Sequence, residues 1–426
     1  MCGRSTAIAL VVVATTSVLL AADWPQWRGP NRDGKSQDTG LLRQWPEGGP
    51  VLAWRADNLG GGYSAPAVAG GRVFGMSNRG NQEVVWALSE KDGTPLWVTA
   101  LGPAFKQVSS QGAEGPACTP TVDGDRLYVE GLAGNVACLQ VQDGKIIWQV
   151  QMTEQFGARR PMWSFRESPL VDGDKVVCTP GSPDAMLVAL DKMTGKTIWK
   201  TQMPGGSDGP GAAYASPIAI EIEGQRLYVQ LTANTLIGVA ASDGRFLWRY
   251  DRPANRNGTN CATPVFHDGA VFASSAYGAG GGAVRLTKDP NGLIQAKEVY
   301  FTRAMQNHHG GMILVDGYLY GASGGNEGGA LVCLEFGTGK VMWDLRSQGQ
   351  RRAKGSLAYA DGLLYYRMED GTLVLIRPNP KQYTEINRFQ QPNRTNVAAW
   401  THPVIANGRL YVRDQGLLLC YNIKAD

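Results

Sequence analysis

Short apolar runs, split by Asp-Gly, Glu-Gly, Gly-Gly or Asn-Gly pairs, recur along almost the whole chain. Two such runs joined by a dipeptide that accepts positive φ, as around Asp123-Gly124, predict a β-hairpin. A second hairpin follows each first one, as around Asp143-Gly144 between Cys138 and Trp148. The whole unit is about 48 residues long and recurs about eight times. Its heads are Ser64-Ala65-Pro66, Thr119-Pro120, Ser168-Pro169, Ser216-Pro217, Thr263-Pro264, Gly310-Gly311, Gly355-Ser356 and His402-Pro403. Four short antiparallel strands per unit, repeated in this way, predict an all-β, eight-bladed β-propeller spanning residues 51–426.

The second half of each unit carries a sharper pattern. A small residue stands six before a Gly, and a Trp stands four after it: Ala87/Gly93/Trp97, Cys138/Gly144/Trp148, Ala189/Gly195/Trp199, Gly238/Gly244/Trp248 and Cys333/Gly339/Trp343. The Gly supplies positive φ at the turn, the Trp lies against the adjoining blade, and the small residue leaves room for an indole. Units five and seven carry Tyr300 and Phe389 near the Trp position. This pattern resembles the tryptophan-docking motif of the pyrroloquinoline-quinone (PQQ)-type eight-bladed propellers. That family holds quinoprotein alcohol dehydrogenases and BamB-like outer-membrane assembly proteins. The segment Val51 to Arg55 reads as an outer strand without its inner three, and the last unit has only three strands. Pairing the two would close the ring and leave no broken edge.

Residues 1–22 hold one Arg, an apolar run and small residues near Ala22, the pattern of a secretory signal peptide. A retained single-span anchor is the competing reading. The protein is therefore expected to be exported, periplasmic or extracellular, and a monomer. Peripheral association with an outer membrane is compatible with this. Cys2 precedes the apolar run, so no cysteine stands at a lipoprotein cleavage site. Residues 23–50, with Trp24 and Trp27, form an N-terminal extension that packs on the propeller, as a latch over one rim or against the outside of blade one. The formal net charge of +4 is too small to imply nucleic acid binding. Six cysteines follow the leader, and Cys138, Cys333 and Cys420 share one repeat position, which suits buried small residues.

Loop lengths are asymmetric. Connections from outer to next inner strand, such as 151–167, 251–262 and 390–401, are long, and strand alternation puts them on one face. Binding residues concentrate on such loops. The candidates there are Arg159, Arg160, Trp163, Arg166, Arg256, Asn257, His308, His309, Arg351, Arg352, Arg394 and Trp400. Guanidinium forks among Asn and aromatic side chains suit a carboxylate, an anionic glycan or an acidic peptide. Adjacent residues entering a strand face opposite ways, so His308 and His309 are not expected to share a metal, and no metal site is expected.

The resemblance implies two functions. The first is an exported, non-catalytic propeller that binds a protein, peptide or polysaccharide on its long-loop face, as a BamB-like scaffold with no cofactor. The alternative is a PQQ-dependent dehydrogenase holding the quinone beside calcium. The chain contains no Cys-Cys pair and no Cys-x-x-Cys-His, and no position matches that family's calcium-binding pair. No catalytic residue is singled out.

Overall fold

Each pair of hairpins forms one four-stranded antiparallel sheet, and eight such sheets make the ring. Blade 1 runs Ala67–Ala69, Arg72–Arg79, Gln82–Ser89 and Pro95–Pro103 from inside outward, and the next six blades repeat that order. The computed structural model describes residues 22–105, 115–204, 211–350 and 353–425. Residues 1–21 of the expected leader, and Arg351 and Arg352, lie outside the described residues. Among those described, the one helix is the four-residue Met152–Gln155.

Ring closure uses both ends of the repeat region. Strand Val51–Ala56 pairs antiparallel with Leu417–Asn422, Val51 opposite Asn422 and Trp54 opposite Cys420. It is the outer strand of blade 8, whose inner strands are Val404–Ala406 and Arg409–Asp414. The ring therefore cannot be opened at the seam without breaking a sheet.

The docking pattern has a physical form that the spacing alone did not resolve. Each small residue sits directly across from the Trp of its own blade: Ala87 opposite Trp97, Cys138 opposite Trp148, Gly238 opposite Trp248. A Cβ on Gly238 would lie 2.2 Å from the Trp248 ring, which is why this position stays small. The indole then reaches the next blade. Trp199 covers Gly244, where a Cβ would come within 2.3 Å of Cε3, and its Nε1–H donates to the Ala241 carbonyl at 3.1 Å. Trp97 and Trp148 donate likewise to Val141 and Lys192, each at 3.0 Å. Tyr300 fills the role in blade 5, lying on Gly339 with its hydroxyl donating to the Phe336 carbonyl at 2.8 Å. Phe389 in blade 7 has no such turn ahead of it, because the seam replaces that turn. Instead it packs edge-on against Trp45 and beside Gly49 of the N-terminal extension.

The extension is in part a latch over one rim: Gly408 N–H donates to Asp38 at 3.0 Å and Leu41 N–H donates to Asp361 at 2.9 Å, both at the tight hairpin turns of blades 8 and 7. Its first part, residues 24–36, does not pack on the outside of blade 1 but enters the central channel. Trp24 and Val68 exchange backbone hydrogen bonds at 2.8 and 2.9 Å, and Val122 N–H donates to the Pro25 carbonyl at 2.8 Å. Trp27 crosses to blade 5, its Nε1–H donating to Thr263 Oγ1 at 2.8 Å. Arg28 donates to the Met312 carbonyl in blade 6, and Arg32 Nη2 to the Ser168 carbonyl in blade 3 at 2.6 Å. The chain leaves through blade 7, where Tyr359 N–H donates to the Gly34 carbonyl at 2.9 Å. The reason is backbone accounting: inner strands present unpaired N–H and C=O groups to the channel, and the extension supplies partners.

A paired substitution isolates the docking contact. Gly224 and Gly244 are both in blade 4 with φ of 76° and 73°, but only Gly244 lies under an indole. Both Ala variants carry backbone strain, so Gly244→Ala should unfold at lower urea than Gly224→Ala, by about 1–3 kcal/mol of extra destabilisation. Equal midpoints would mean the stacking contributes nothing.

Candidate functional site

The long-loop face holds a cavity of about 170 Å³ at the mouth of the channel. Its wall is built from one position of the repeat. Tyr63, Ala117, Arg166, Tyr214, Cys261 and Trp400 line it, and each stands three residues before an inner-strand proline: Pro66, Pro120, Pro169, Pro217, Pro264 and Pro403. His308 lines it too, three before Gly311, which takes the proline's place ahead of strand Met312–Val315. In the six blades with a proline it holds an extended backbone, and the residue three before it is carried up and inward. Among the described residues blade 7, whose equivalent is Ala353, adds none to the lining. Trp27 of the extension closes the floor, 4.6 Å from the His402 ring.

Aromatic rings form a continuous arc. Tyr277 meets His308 edge-on at 5.0 Å, His308 lies 3.6 Å from His309, His309 stacks on Trp400 at 4.3 Å, and Trp400 lies 5.1 Å from Tyr63. The expectation that His308 and His309 point to opposite sides fails for a local reason. Residues 303–311 precede the strand as bends and irregular chain, so strand alternation does not apply to them.

Polar partners hold the arc in place. Trp400 Nε1–H donates to Glu369 Oε1 at 2.6 Å, and Lys354 pairs with the same carboxylate at 3.1 Å. Lys354 Nζ also donates to the Gly325 carbonyl at 2.7 Å and contacts His308 Nδ1 at 3.2 Å. His402 Nε2 meets the His309 carbonyl at 2.7 Å. Burial, then the Lys354 charge, push His308 down to about 3, and burial with Arg28 does the same to His402. His309 is driven well below its usual value, chiefly by burial. The imidazoles are thus neutral at pH 7, and the cationic side chain in the lining is Arg166, while Lys354 behind it is offset by Glu369.

Of the twelve residues singled out from sequence, Trp163, Arg166, His308, His309 and Trp400 line the cavity. Arg159, Arg256 and Asn257 are exposed outside the lining, and Arg160 is exposed with its guanidinium 3.9 Å over the Phe105 ring. Arg394 turns away, pairing with buried Asp414 at 3.3 Å. Tyr63, Tyr214, Cys261, Tyr277, His402 and Trp27 were not anticipated. The signal for the first three was present in the constant offset from the prolines. Among the described residues all six cysteines are unbridged, and only Cys261 is not fully buried.

Three carboxyls are buried under blades 1 to 3. Glu83 accepts from Leu132 N–H at 3.1 Å, and Glu167 accepts from Thr179 N–H at 2.6 Å and Gln230 Nε2 at 2.9 Å. Neither oxygen of Glu130 has a hydrogen-bond partner. Burial raises all three: Glu83 and Glu167 to about 7, and Glu130 further, with Glu167 and Glu83 adding repulsion. Arg32 of the extension offsets part of the rise at Glu167, and Cys118 and Cys178 share the region. A raised folded-state value means that the native protein keeps a proton the unfolded chain has released. Stability from these groups is therefore full below the usual 4.5 and is lost as pH rises through about 7 and beyond. Glu130→Gln keeps the shape without the titration, so its melting temperature should fall less than the parent's between about pH 5 and about pH 8. Parallel melting curves across that range would remove Glu130 from the linkage.

The family profile described as outer membrane protein assembly factor BamB matches residues 37–158 and 106–344. Outer membrane protein assembly factor BamB of Yersinia pestis is 25% identical over 229 residues, 53% of this chain and 52% of that protein. The Salmonella typhimurium protein of the same name is 30% identical over 116 residues, 26% of this chain and 27% of that protein. The chain thus spans about half, or less, of the length of these curated relatives. The crystal structure of BamB from Moraxella catarrhalis superposes with a TM-score of 0.58 at 16% identity, over 85% of this chain and 95% of that one. Quinohemoprotein alcohol dehydrogenase from Comamonas testosteroni superposes with a TM-score of 0.64 at 13% identity, over 95% of this chain and 81% of that one. At these identities the structural likeness establishes a shared fold.

Proposed function

The chain belongs to the propeller family described as outer membrane protein assembly factor BamB, and we propose that it is an exported, non-catalytic member that binds a partner chain on its long-loop face. The single observation that carries this reading is the aromatic arc over a closed floor. The arc offers flat faces for stacking, and Arg166 in the lining offers charge to an acidic group. A cavity of about 170 Å³ takes one ring-sized group, not a length of polymer. The occupant is therefore one residue of a protein, peptide or polysaccharide whose remainder lies along the rim, where Arg159, Arg160, Arg256 and Asn257 stand. The relatives' role in outer-membrane assembly favours a protein partner and peripheral membrane association. No helix among the described residues is long and apolar enough to cross a membrane.

Tryptophan emission is the natural readout. Titration with an aromatic-ended peptide of an outer-membrane β-barrel strand, and separately with a uronic acid oligosaccharide, should give saturable quenching for at least one of them. Trp400→Ala should weaken the responding ligand by about tenfold or more, about 1.4 kcal/mol. A parent protein silent to both probes would sink the reading.

The quinone alternative fits this cavity poorly. Calcium takes six to eight oxygen ligands, carboxylates prominent among them. The described residues of the lining include no Asp or Glu, and their polar groups are Arg, His, Cys, hydroxyls and Asn326. A ligand at about 100 times its dissociation constant stabilises by about 2.7 kcal/mol, so PQQ with calcium should leave the melting curve unmoved. A calcium-dependent rise would restore the dehydrogenase reading.

A further inference from the structure

Among the described residues, Cys261, His308 and His309 form the one group of His, Cys, Asp or Glu side chains close enough to hold a single ion, their ligand atoms all within 4.8 Å of one another. We propose that these three side chains are a binding site for a borderline or soft transition-metal ion, Zn²⁺ or copper, whose fourth position opens into the aromatic funnel.

The donor set points to the metal. One thiolate and two imidazoles suit zinc or copper and not calcium or magnesium. Metal–nitrogen bonds of about 2.0 Å and metal–sulfur bonds of about 2.3 Å place tetrahedral ligand atoms about 3.3–3.6 Å apart. Closing from the present spacing needs movements on the order of 1 Å. Cys261 binds as the thiolate and releases its proton to solvent.

A second observation is independent of the spacing. His309 Nδ1 is buried and has no hydrogen-bond partner, although its ring is fixed on one side by Trp400 and on the other by His308. Its carbonyl is also held, by His402 at 2.7 Å. A buried imidazole nitrogen without a partner calls for one, and an ion held among these donors would supply it. His308 is held differently: Nε2 meets Tyr277 Oη at 2.9 Å and Nδ1 meets Lys354 Nζ at 3.2 Å. A metal on His308 must displace one of those contacts. Tyr277 can fall back on Asn326 Oδ1 at 3.5 Å, and Lys354 on Glu369 and Gly325. Lys354 is thus a cation that competes with the metal for the same ring.

The ion would sit on the cavity wall with three protein ligands and one open side, the arrangement that accepts water or a ligand group in the fourth place. A carboxylate or deprotonated hydroxyl on the incoming residue is the chemistry it would take. The site itself rests on three side chains and not on the partner-binding reading, so it is tested without any partner present.

The probe is Co²⁺, titrated with a thiol-free reductant into protein spanning residues 23–426. The expected result is a thiolate-to-cobalt charge-transfer band in the near ultraviolet with strong visible bands of a four-coordinate ion. Equimolar Zn²⁺ should bleach both. Cys261→Ser should abolish the ultraviolet band, while Cys118→Ser, at a buried thiol outside the site, should keep it. Lys354→Gln should tighten binding by about tenfold, because a carbonyl then faces the ligating ring where an ammonium stood. Absence of the ultraviolet band in the parent protein, or its survival in Cys261→Ser, overturns the proposal. Quenching of tryptophan by a peptide or oligosaccharide in the presence of chelator tests the partner-binding reading separately.

Discussion

The reach of the outer-strand aromatic ring onto the next blade's turn, over a glycine in five of the joints, is the contact on which everything else rests. No strand of one blade is paired in the sheet of another, so side chains between neighbours carry most of the joint. The indole supplies both parts of that bond, a flat face over Gly244 in the case of Trp199 and an N–H donated to Ala241. Truncating such a buried Trp costs about 3–5 kcal/mol in typical cores. The contact recurs where Trp54, Trp97, Trp148, Trp199 and Tyr300 each cover the next blade's turn glycine, and this repetition helps the channel mouth keep its shape.

That fixed mouth lets one repeat position become a binding wall. Tyr63, Arg166, Tyr214, Cys261, His308 and Trp400 are chemically unrelated, yet they are brought to one cavity by their common place before the inner strand. The extension completes the arrangement from below. Without Trp27 the cavity would be a channel. With it, an incoming group meets a floor.

The blades, their order and the seam at Val51–Ala56 were legible because turn glycines and apolar alternation are local signals, and closure is a matter of counting strands. Trp163, Arg166 and Trp400 were legible because they stand on long loops. Tyr63, Tyr214 and Cys261 were overlooked because each looks like an ordinary residue in its own blade, and only superposing the blades on their prolines groups them. Arg394 was misjudged for a physical reason: a guanidinium beside buried Asp414 satisfies that charge before it can face solvent. The path of residues 24–36 could not be read at all, since their partners are backbone groups in five different blades and one side-chain hydroxyl in a sixth.

The extension also has a consequence for the order in which the protein is made. Trp24 to Gly34 leave the ribosome before any blade, yet their partners are carried by strands as late as Met312–Val315 and Gly355–Ala360. The segment made first therefore has nowhere to settle until most of the chain exists. The blade 8 strand Val51–Ala56 that follows it waits longer still, for the last strand of the ring. A nascent or truncated chain has blades but no floor, and so no cavity. Occupancy of the cavity is in that sense a proof of completion, available only to a molecule whose two ends have met.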